Sequence, residues 1–400
     1  MKVIMSLLGI VLIFGFMYLL SSDKNNIPYK TVAKALGIQL LIAVLLLKFP
    51  LGRFVVEKVS DVVTSILNCG QDGIAFVFGS LADSSAVTGN IFGIQTLGNI
   101  IFVSALVSAL YYLGVIGFIV RIIGKAVGKV LGTSHVESFV AVANMFLGQT
   151  ESPILVSKYL GKMTKSEIVV VLVSGMGSMS ATIIGGYTAL GIPMENLLIA
   201  SALVPMGSIA LAKVLMPESE EAFDVEDLKI DNKGDNENIL SAISEGAMNG
   251  LNTALAIGAS LIAILGLVAI VNLVLGFFGL NLQEIFSYIF APVGYLMGLD
   301  SSEVAMAGQL LGSKLVLNEF VAFQSLGEVI SSLSYRTGLI LSVSLAGFAN
   351  ISSIGICISG ISALCPEKRN ILSKLAFKSM LAGFAVSLLS AVIVGLVTLI

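Results

Sequence analysis

Eight apolar stretches along the chain are long enough to cross a lipid bilayer as helices. A helix rises about 1.5 Å per residue, so about 20 apolar residues span the hydrocarbon core. The first stretch is followed by the polar run SSDKNN and no small-residue cleavage site, so we interpret it as a retained helix rather than a signal peptide. The pattern predicts an all-α polytopic membrane protein with eight transmembrane helices, near residues 3–20, 33–50, 95–118, 167–191, 196–216, 251–279, 336–362 and 376–399.

Two segments between these stretches have the pattern of amphipathic helices at a membrane surface. Residues 53–70 alternate charged and apolar residues at helical spacing. Residues 119–132 place Arg121, Lys125 and Lys129 four apart, on one face of a helix. We expect both segments to lie in the interface; a solvated cytoplasmic linker is the alternative for the second.

Residues 134–160 and 299–333 are apolar but carry a polar cluster near their middle. Each half of such a segment, at about 1.5 Å per residue, reaches only about midway through a bilayer. Irregular backbone at that depth requires surrounding protein or a water-filled cavity. We therefore predict two re-entrant helical hairpins.

The two hairpins and the spans that follow them form a repeat. The first hairpin carries Gln149 and Glu151, and the second carries Asn318 and Glu319. Each is followed by a span interrupted by small polar residues, SGMGSMSATIIGG in one case and AGFANISSIGICISG in the other. Because an odd number of spans separates the hairpins, the repeats are inverted, which is typical of secondary transporters with a mid-membrane site. Close packing of Gly- and Ser-rich helices is the alternative explanation for the interruptions.

The composition agrees with a membrane protein and excludes several other classes. Hydrophobic residues make up 56% of the chain and charged residues 12%, against about 25% charged in a soluble domain. The sequence has no basic patch with interleaved aromatic residues, which is the pattern that would predict nucleic-acid binding. The cysteines Cys69, Cys357 and Cys365 lack CxxC spacing, so we expect packing roles. The chain has a single histidine, His135, which argues against a His-based metal site or proton relay.

The distribution of Lys and Arg predicts the orientation. Most basic residues fall on one side if the N-terminus is outside, so both termini are expected outside a bacterial plasma membrane. Residues 217–237 are then a cytoplasmic, solvated acidic loop.

The polar residues of the two hairpins indicate what they bind. A buried ionisable residue in a membrane costs on the order of 3 kcal/mol, so Glu151 and Glu319 are expected to face a polar solute. Carboxylates accept hydrogen bonds, and the amides of Gln149 and Asn318 both donate and accept. This mixture suits a neutral, hydroxyl-rich solute, and we interpret Lys314 as a lysine that snorkels to the surface. A membrane-embedded enzyme with a carboxylate pair, or a channel, is the alternative.

At these residues the chain resembles the concentrative nucleoside transporter family. The motifs are NMFLGQTESP at 144–153, SKLVLNEFVAF at 313–323 and GFANISSIGI at 347–356. The resemblance runs from about residue 95 to the end; the first 95 residues match only in their pattern of spans. It implies a homotrimer, nucleosides of the uridine, cytidine and adenosine class as substrates, and elevator-like transport driven by a sodium or proton gradient.

The resemblance also implies roles for individual residues. Gln149, Thr150 and Glu151 would face the nucleobase, and Glu319, Asn350 and Ser353 would bind the ribose hydroxyls. Ile183 and Phe348 would pack against the solute, with Asn318 in support. The coupling ion would bind at Asn144, Leu147, Ser178 and Met179.

The resemblance implies that proton-coupled bacterial relatives tend to lack the asparagine, so Asn144 favours sodium, and the oxygens of Asn144 and Ser178 suit a hard cation. SMSATI at 178–183, however, departs from the sodium-coupled pattern. No other cofactor is implied.

The predicted organisation alternates scaffold and transport segments. The scaffold comprises the spans of 1–118 and of 251–298, and the transport domain comprises the two repeats at 119–216 and 299–400. The acidic loop and an amphipathic segment, 217–250, connect them.

Overall fold

The computed structural model describes residues 1–83, 85, 91–220 and 236–400, and these residues form helices joined by short connections. The first nine helices are α1 (Lys2–Leu20), α2 (Tyr29–Lys48), α3 (Pro50–Phe78), α4 (Phe92–Tyr112), α5 (Val115–Leu131), α6 (His135–Ala143), α7 (Ser152–Leu155), α8 (Ser157–Leu160) and α9 (Lys165–Gly177). The next nine are α10 (Ala181–Ala189), α11 (Met194–Leu215), α12 (Ile239–Gly276), α13 (Leu282–Leu296), α14 (Val304–Val316), α15 (Glu319–Val329), α16 (Tyr335–Leu345), α17 (Ile351–Leu364) and α18 (Arg369–Val397). The all-α prediction is confirmed.

Within the described ranges, eight helical stretches are long and apolar enough to cross a membrane. Seven of them match predicted spans. The eighth is Pro50–Ala82, which contains the segment 53–70, so that helix is longer than predicted and its interfacial position stays a prediction. The predicted span 336–362 is instead divided between α16 and α17.

Two predicted boundaries in the middle of the chain were wrong. The span predicted at 95–118 ends at Tyr112, because Gly114 adopts a left-handed conformation with φ of 78° and starts a new helix, α5. The basic helix is therefore α5 rather than 119–132. The span predicted at 251–279 begins earlier, since α12 has 38 residues and absorbs the amphipathic part of 217–250. Of the predicted acidic loop, residues 221–235 lie outside the described residues.

Both spans predicted to be interrupted are broken. The first divides between α9 and α10 at residues 178–180, and the second between α16 and α17 at residues 346–350. The two breaks contact each other, because the Phe348 N–H donates to the Ser178 carbonyl at 3.0 Å. Gly347 permits this approach: its φ is 111°, and a Cβ there would lie 2.6 Å from the Gly177 carbonyl oxygen.

The two predicted hairpins begin at opposite ends of the molecule. At the start of the first, Ser134 Oγ donates to Glu167 Oε1 at 2.6 Å. The neighbouring hydroxyl of Ser166 donates to the Met216 carbonyl, just beyond the end of α11, and the Ser22 N–H, just beyond the end of α1, donates to the Leu215 carbonyl. The first hairpin therefore begins beside the end of α1.

The second hairpin begins beside the start of α1. There Lys2 Nζ lies 2.8 Å from Asp300 Oδ1, and Thr337 Oγ1 donates to Glu303 Oε1 at 2.8 Å. Arg336 donates to the carbonyls of Gly298 and Gly395, which brings the C-terminal end of α18 to the same place. Both termini thus lie at one end; the side of the membrane stays a prediction.

The first two helices, α1 and α2, pack against α11 and α18. Gln39 on α2 donates to the Leu203 carbonyl of α11 and to Ser390 Oγ of α18, both at 3.1 Å. By contrast, α12 packs mainly along α4. Cys357 and Cys365 are buried as expected, whereas Cys69 is exposed on α3 and its packing role stays a prediction.

Candidate functional site

A cavity of about 370 Å³ lies where the two hairpin tips, the two broken spans and α12 meet. Its size would admit a small organic solute. The residues predicted to contact substrate all line this cavity: Gln149, Thr150, Glu151, Ile183, Asn318, Glu319, Phe348, Asn350 and Ser353. Residues separated by up to about half the chain are thus brought together, and Glu151 and Glu319 share one chamber.

Three helices of at least nine residues begin at this cavity. Ser180 is the N-cap of α10, Asn318 of α15 and Asn350 of α17, and each side chain accepts a hydrogen bond from its own helix backbone. Short polar side chains at these positions satisfy amides that the first turn leaves unpaired. The helix N-termini also direct partial positive charge towards the cavity, which favours anionic side chains and hydrogen-bond acceptors there.

Glu319 is the first residue of α15, and its carboxylate is held by two donors. Tyr187 Oη donates to Oε1 at 3.2 Å, and Asn350 Nδ2 donates to Oε2 at 2.9 Å. A carboxylate offers about four lone-pair positions. Glu319 therefore keeps acceptor capacity for hydroxyl groups entering the cavity.

Gln149 connects the first hairpin to α17. Its Nε2 donates to Ser353 Oγ at 3.3 Å, and its Oε1 accepts from Cys357 Sγ at 3.2 Å. Ser353 N in turn donates to Asn350 Oδ1 at 3.0 Å. One polar chain thus runs from Gln149 through Ser353 and Asn350 to Glu319.

Glu151 lies on the other side of the first hairpin tip. Its Oε2 accepts from the Gly148 backbone N–H at 3.1 Å and from Ser180 Oγ at 3.3 Å. Both donors belong to segments that line the cavity. The carboxylate is therefore oriented by the tip and by the start of α10 without a basic partner among its described hydrogen-bond donors.

One wall of the cavity was missed by sequence reasoning. It comes from α12, through Thr253, Ala256, Ile257 and Ser260. Their spacing of i, i+3, i+4 and i+7 places them on one helix face, which is a signal that the sequence carries. Tyr187 was also missed, although it lies one turn beyond Ile183 on α10 and is fully buried between Phe320 and Phe323.

A smaller cavity of about 160 Å³ adjoins the first one and shares Glu151, Thr182 and Thr253 with it. It continues between α4 and α12, where polar side chains line it: Ser104, Ser108 and Asn249. The two cavities together form a partly polar path from the chamber along the α4–α12 boundary.

The four residues of the predicted ion site come from two adjoining segments. Asn144 and Leu147 belong to the turn after α6, Ser178 and Met179 belong to the first break, and Ala181 N–H donates to the Phe146 carbonyl to join the two. The Asn144 amide donates to the Val140 carbonyl and Ser174 Oγ, which leaves its buried Oδ1 with no hydrogen-bond partner. An orphaned buried oxygen at the C-terminal end of a helix fits a small hard cation.

Lys314 does not snorkel. Its side chain is 0% exposed, and Nζ donates to the carbonyls of Ser344 and Ala346 and to Ser387 Oγ. The interpretation as a surface-seeking lysine was wrong because the end of α16 supplies acceptors inside the protein.

Comparisons with known proteins cover the chain almost completely. Residues 8–81 match the model of the Na+ dependent nucleoside transporter N-terminus, residues 93–194 that of a nucleoside recognition domain named Gate, and residues 196–395 that of the Na+ dependent nucleoside transporter C-terminus.

Full-length relatives and solved structures give the same result. An uncharacterized transporter of Haemophilus influenzae is 39% identical over 99% of this chain and 98% of its own. The nucleoside permease NupC of Helicobacter pylori is 35% identical over 98% of this chain and 97% of its own. The structure of CNTnw in an inward-facing, substrate-bound state superposes with a TM-score of 0.95 at 36% identity and covers 100% of both chains.

Proposed function

Because the chain belongs to the concentrative nucleoside transporter family, we propose that it takes up nucleosides by cation symport through the cavity described above. Members of this family are transporters and not enzymes, so the carboxylate pair serves binding rather than catalysis. The observation that carries the proposal is that Glu151 and Glu319 line one chamber with amide and hydroxyl groups between them. A channel would not need a chamber with so many oriented donors and acceptors.

The ribose is assigned to the second hairpin. Glu319 has acceptor capacity beyond the bonds from Tyr187 and Asn350, and a vicinal pair of hydroxyls would use it. Charged acceptors form hydrogen bonds of about 1.5–3 kcal/mol. A solute without these hydroxyls would leave part of the carboxylate unpaired and would therefore bind weakly.

The base is assigned to the first hairpin. Gln149 uses one amide hydrogen and one acceptor position within the protein and retains one of each for a ligand. Phe348 and Ile183 supply apolar surface beside it. This half of the chamber offers both donors and acceptors, which is compatible with uridine, cytidine and adenosine.

Sodium is proposed as the coupling ion, with the proton as the alternative. The support is the unpartnered, buried Oδ1 of Asn144 in the turn after α6, together with the buried Ser178 of the adjoining first break. Asn144, Leu147, Ser178 and Met179 would supply two side-chain oxygens and two carbonyls. When bound, the cation would offset the partial negative charge at the C-terminal end of α9.

An elevator-type movement in a homotrimer is proposed for alternating access. The chamber lies between the two repeats on one side and α12 on the other, which is where a mobile unit would slide against a scaffold. The Gln39 bonds tie α2 to α11 and α18, and α1 packs along α18, so α1 and α2 would move with the repeats rather than stay with the scaffold. The trimer itself follows from the resemblance.

The protein is proposed to lie in a bacterial plasma membrane with both termini outside. Both termini lie at one end of the molecule, and the basic residues of α5 lie at the other, beside the start of α2, where Thr31 Oγ1 donates to the Leu131 carbonyl. An excess of basic residues marks the cytoplasmic side.

Purified protein in liposomes would test the proposal. An imposed inward sodium gradient should drive accumulation of labelled uridine, and unlabelled uridine on the far side should produce counterflow. Uridine should compete better than 2′,3′-dideoxyuridine. Accumulation that ignores sodium but collapses with a protonophore would assign the proton instead, and passive equilibration without counterflow would contradict a symporter.

A further inference from the structure

The Lys314 side chain is buried against the C-terminal end of α16, which is the first half of the second broken span. It lies in the last turn of α14, and its Nζ donates to the carbonyls of Ser344 at 2.9 Å and Ala346 at 3.0 Å. Ser344 is the penultimate residue of α16, and Ala346 is its C-cap, immediately after the last helical residue. A third bond of 2.6 Å reaches Ser387 Oγ on α18.

The hydrogen bonds around this side chain fit a protonated lysine. Two of the three partners are carbonyls, which only accept, and the Ser387 hydroxyl donates its own hydrogen to the Phe384 carbonyl at 2.8 Å. All three partners therefore require a hydrogen from Nζ. An ammonium has three and a neutral amine has two, so the geometry fits the cation, and the Phe384 ring lies 5.4 Å from Nζ.

The first repeat has a matching arrangement. There the residue after the first hairpin helix, Asn144, reaches the same part of the first broken span: its Nδ2 donates to Ser174 Oγ, three residues before α9 ends. Its Oδ1 remains without a partner where the coupling cation is proposed. In both repeats, then, a hairpin residue approaches the C-terminal end of the half-helix that precedes the break.

Such a helix end attracts cations in both places. The last carbonyls of α9 and of α16 lack partners from a following turn and carry partial negative charge. In the second repeat, two carbonyls and a hydroxyl surround the Lys314 ammonium, a set of oxygen ligands like those that a small hard cation takes. The first repeat offers its oxygens to a cation that must come from solution.

We propose that the Lys314 ammonium is a tethered cation that fills, in the second repeat, the position that the coupling cation fills in the first. It fixes the end of α16 and so positions Phe348 and Asn350, which follow the break and line the chamber. The proposal rests on the transport function above. Lys314 is thus a positioning residue. Its ammonium serves the half-helix end of the second repeat, and the exchangeable cation serves that of the first.

Two substitutions at Lys314 separate its charge from its bulk. Lys314→Met keeps an unbranched stem and removes the cation, and uridine affinity at saturating sodium should fall by about tenfold or more because the α16 carbonyls lose their partner. Lys314→Asn imitates Asn144 of the first repeat and leaves an oxygen-lined space. Its thermal midpoint in detergent should rise with added NaCl more than that of the wild type, relative to choline chloride, and its uptake should depend more steeply on sodium.

Lys374→Met, at an exposed position of α18, is the matched control and should resemble the wild type in every measurement. If wild-type liposomes accumulate no uridine, the proposed function itself fails. If the wild type transports but Lys314→Met binds uridine equally well, or Lys314→Asn responds to sodium as the wild type does, the tethered-cation proposal is overturned. Should Lys314→Met fail to fold, the sodium-dependent thermal shift of Lys314→Asn decides alone.

Discussion

Asn350 Nδ2 donates to Glu319 Oε2 at 2.9 Å and thereby joins the start of α17 to the tip of the second hairpin. The same Asn350 caps α17 through its Oδ1, which accepts from Ser353 N. One amide therefore orients a carboxylate and begins a half-helix at the wall of the chamber.

Glu319→Gln should reduce uridine affinity by roughly 10- to 150-fold, since the amide loses the charge that makes the hydroxyl bonds worth about 1.5–3 kcal/mol. The preference for uridine over dideoxyuridine should shrink with it. Competition binding to purified protein measures both values. Glu328→Gln, at an exposed position of the same helix, is the control. An unchanged preference in Glu319→Gln would show that the ribose binds elsewhere.

Asn350→Asp should preserve folding and abolish most uptake at neutral pH. Aspartate is as good an N-cap as asparagine, but it replaces the donor to Glu319 with a second negative charge. Protonation of one carboxyl would restore a donor, so uridine binding should recover in part as the pH is lowered. Asn350→Ser, which caps without adding charge, should show no such recovery; equal pH profiles would contradict the assignment.

Tyr187→Phe should weaken uridine binding by about tenfold through loss of one bond to a charged acceptor. The ring stays packed against Phe320 and Phe323, so the thermal midpoint should change little. Tyr288→Phe, which is 79% exposed on α13, serves for comparison. A large fall in stability with full affinity would mean that Tyr187 acts in packing alone.

Asn144→Ala should raise the sodium concentration for half-maximal uptake by at least about tenfold, because it removes a proposed ligand. Uridine affinity at saturating sodium should change less. Sodium titration of uptake in liposomes measures the first quantity. Asn272→Ala, whose side chain bonds to Gln283 and Leu282 near the far end of α12, should leave the titration unchanged.

Gly347→Ala should lower the free energy of unfolding by at least about 1–2 kcal/mol, since φ is 111° and the new Cβ would meet the Gly177 carbonyl. Gly355→Ala, in α17 with no heavy atom within 4 Å of the added Cβ, should stabilise the helix slightly. Thermal midpoints in detergent compare the two. Equal midpoints would show that the contact between the two breaks can relax.

The sequence by itself determined the class of the protein, the positions of most spans and the two interruptions, because long apolar runs and small polar breaks are local patterns. Through motifs that resemble those of a known family, it also identified nine of the residues that line the chamber. The spacing of Thr253, Ala256, Ile257 and Ser260 places them on one face of α12, but only the fold shows that this face lies opposite the hairpin tips.

The tertiary structure alone decided what Lys314 does. A lysine in an apolar segment commonly reaches for the surface, and only the fold shows that the carbonyls that end α16 and the hydroxyl of Ser387 surround its ammonium. The physical reason is the same for Tyr187 and Glu319: a buried polar group is stabilised by partners distant in sequence, and those partners are known only once the helices are packed.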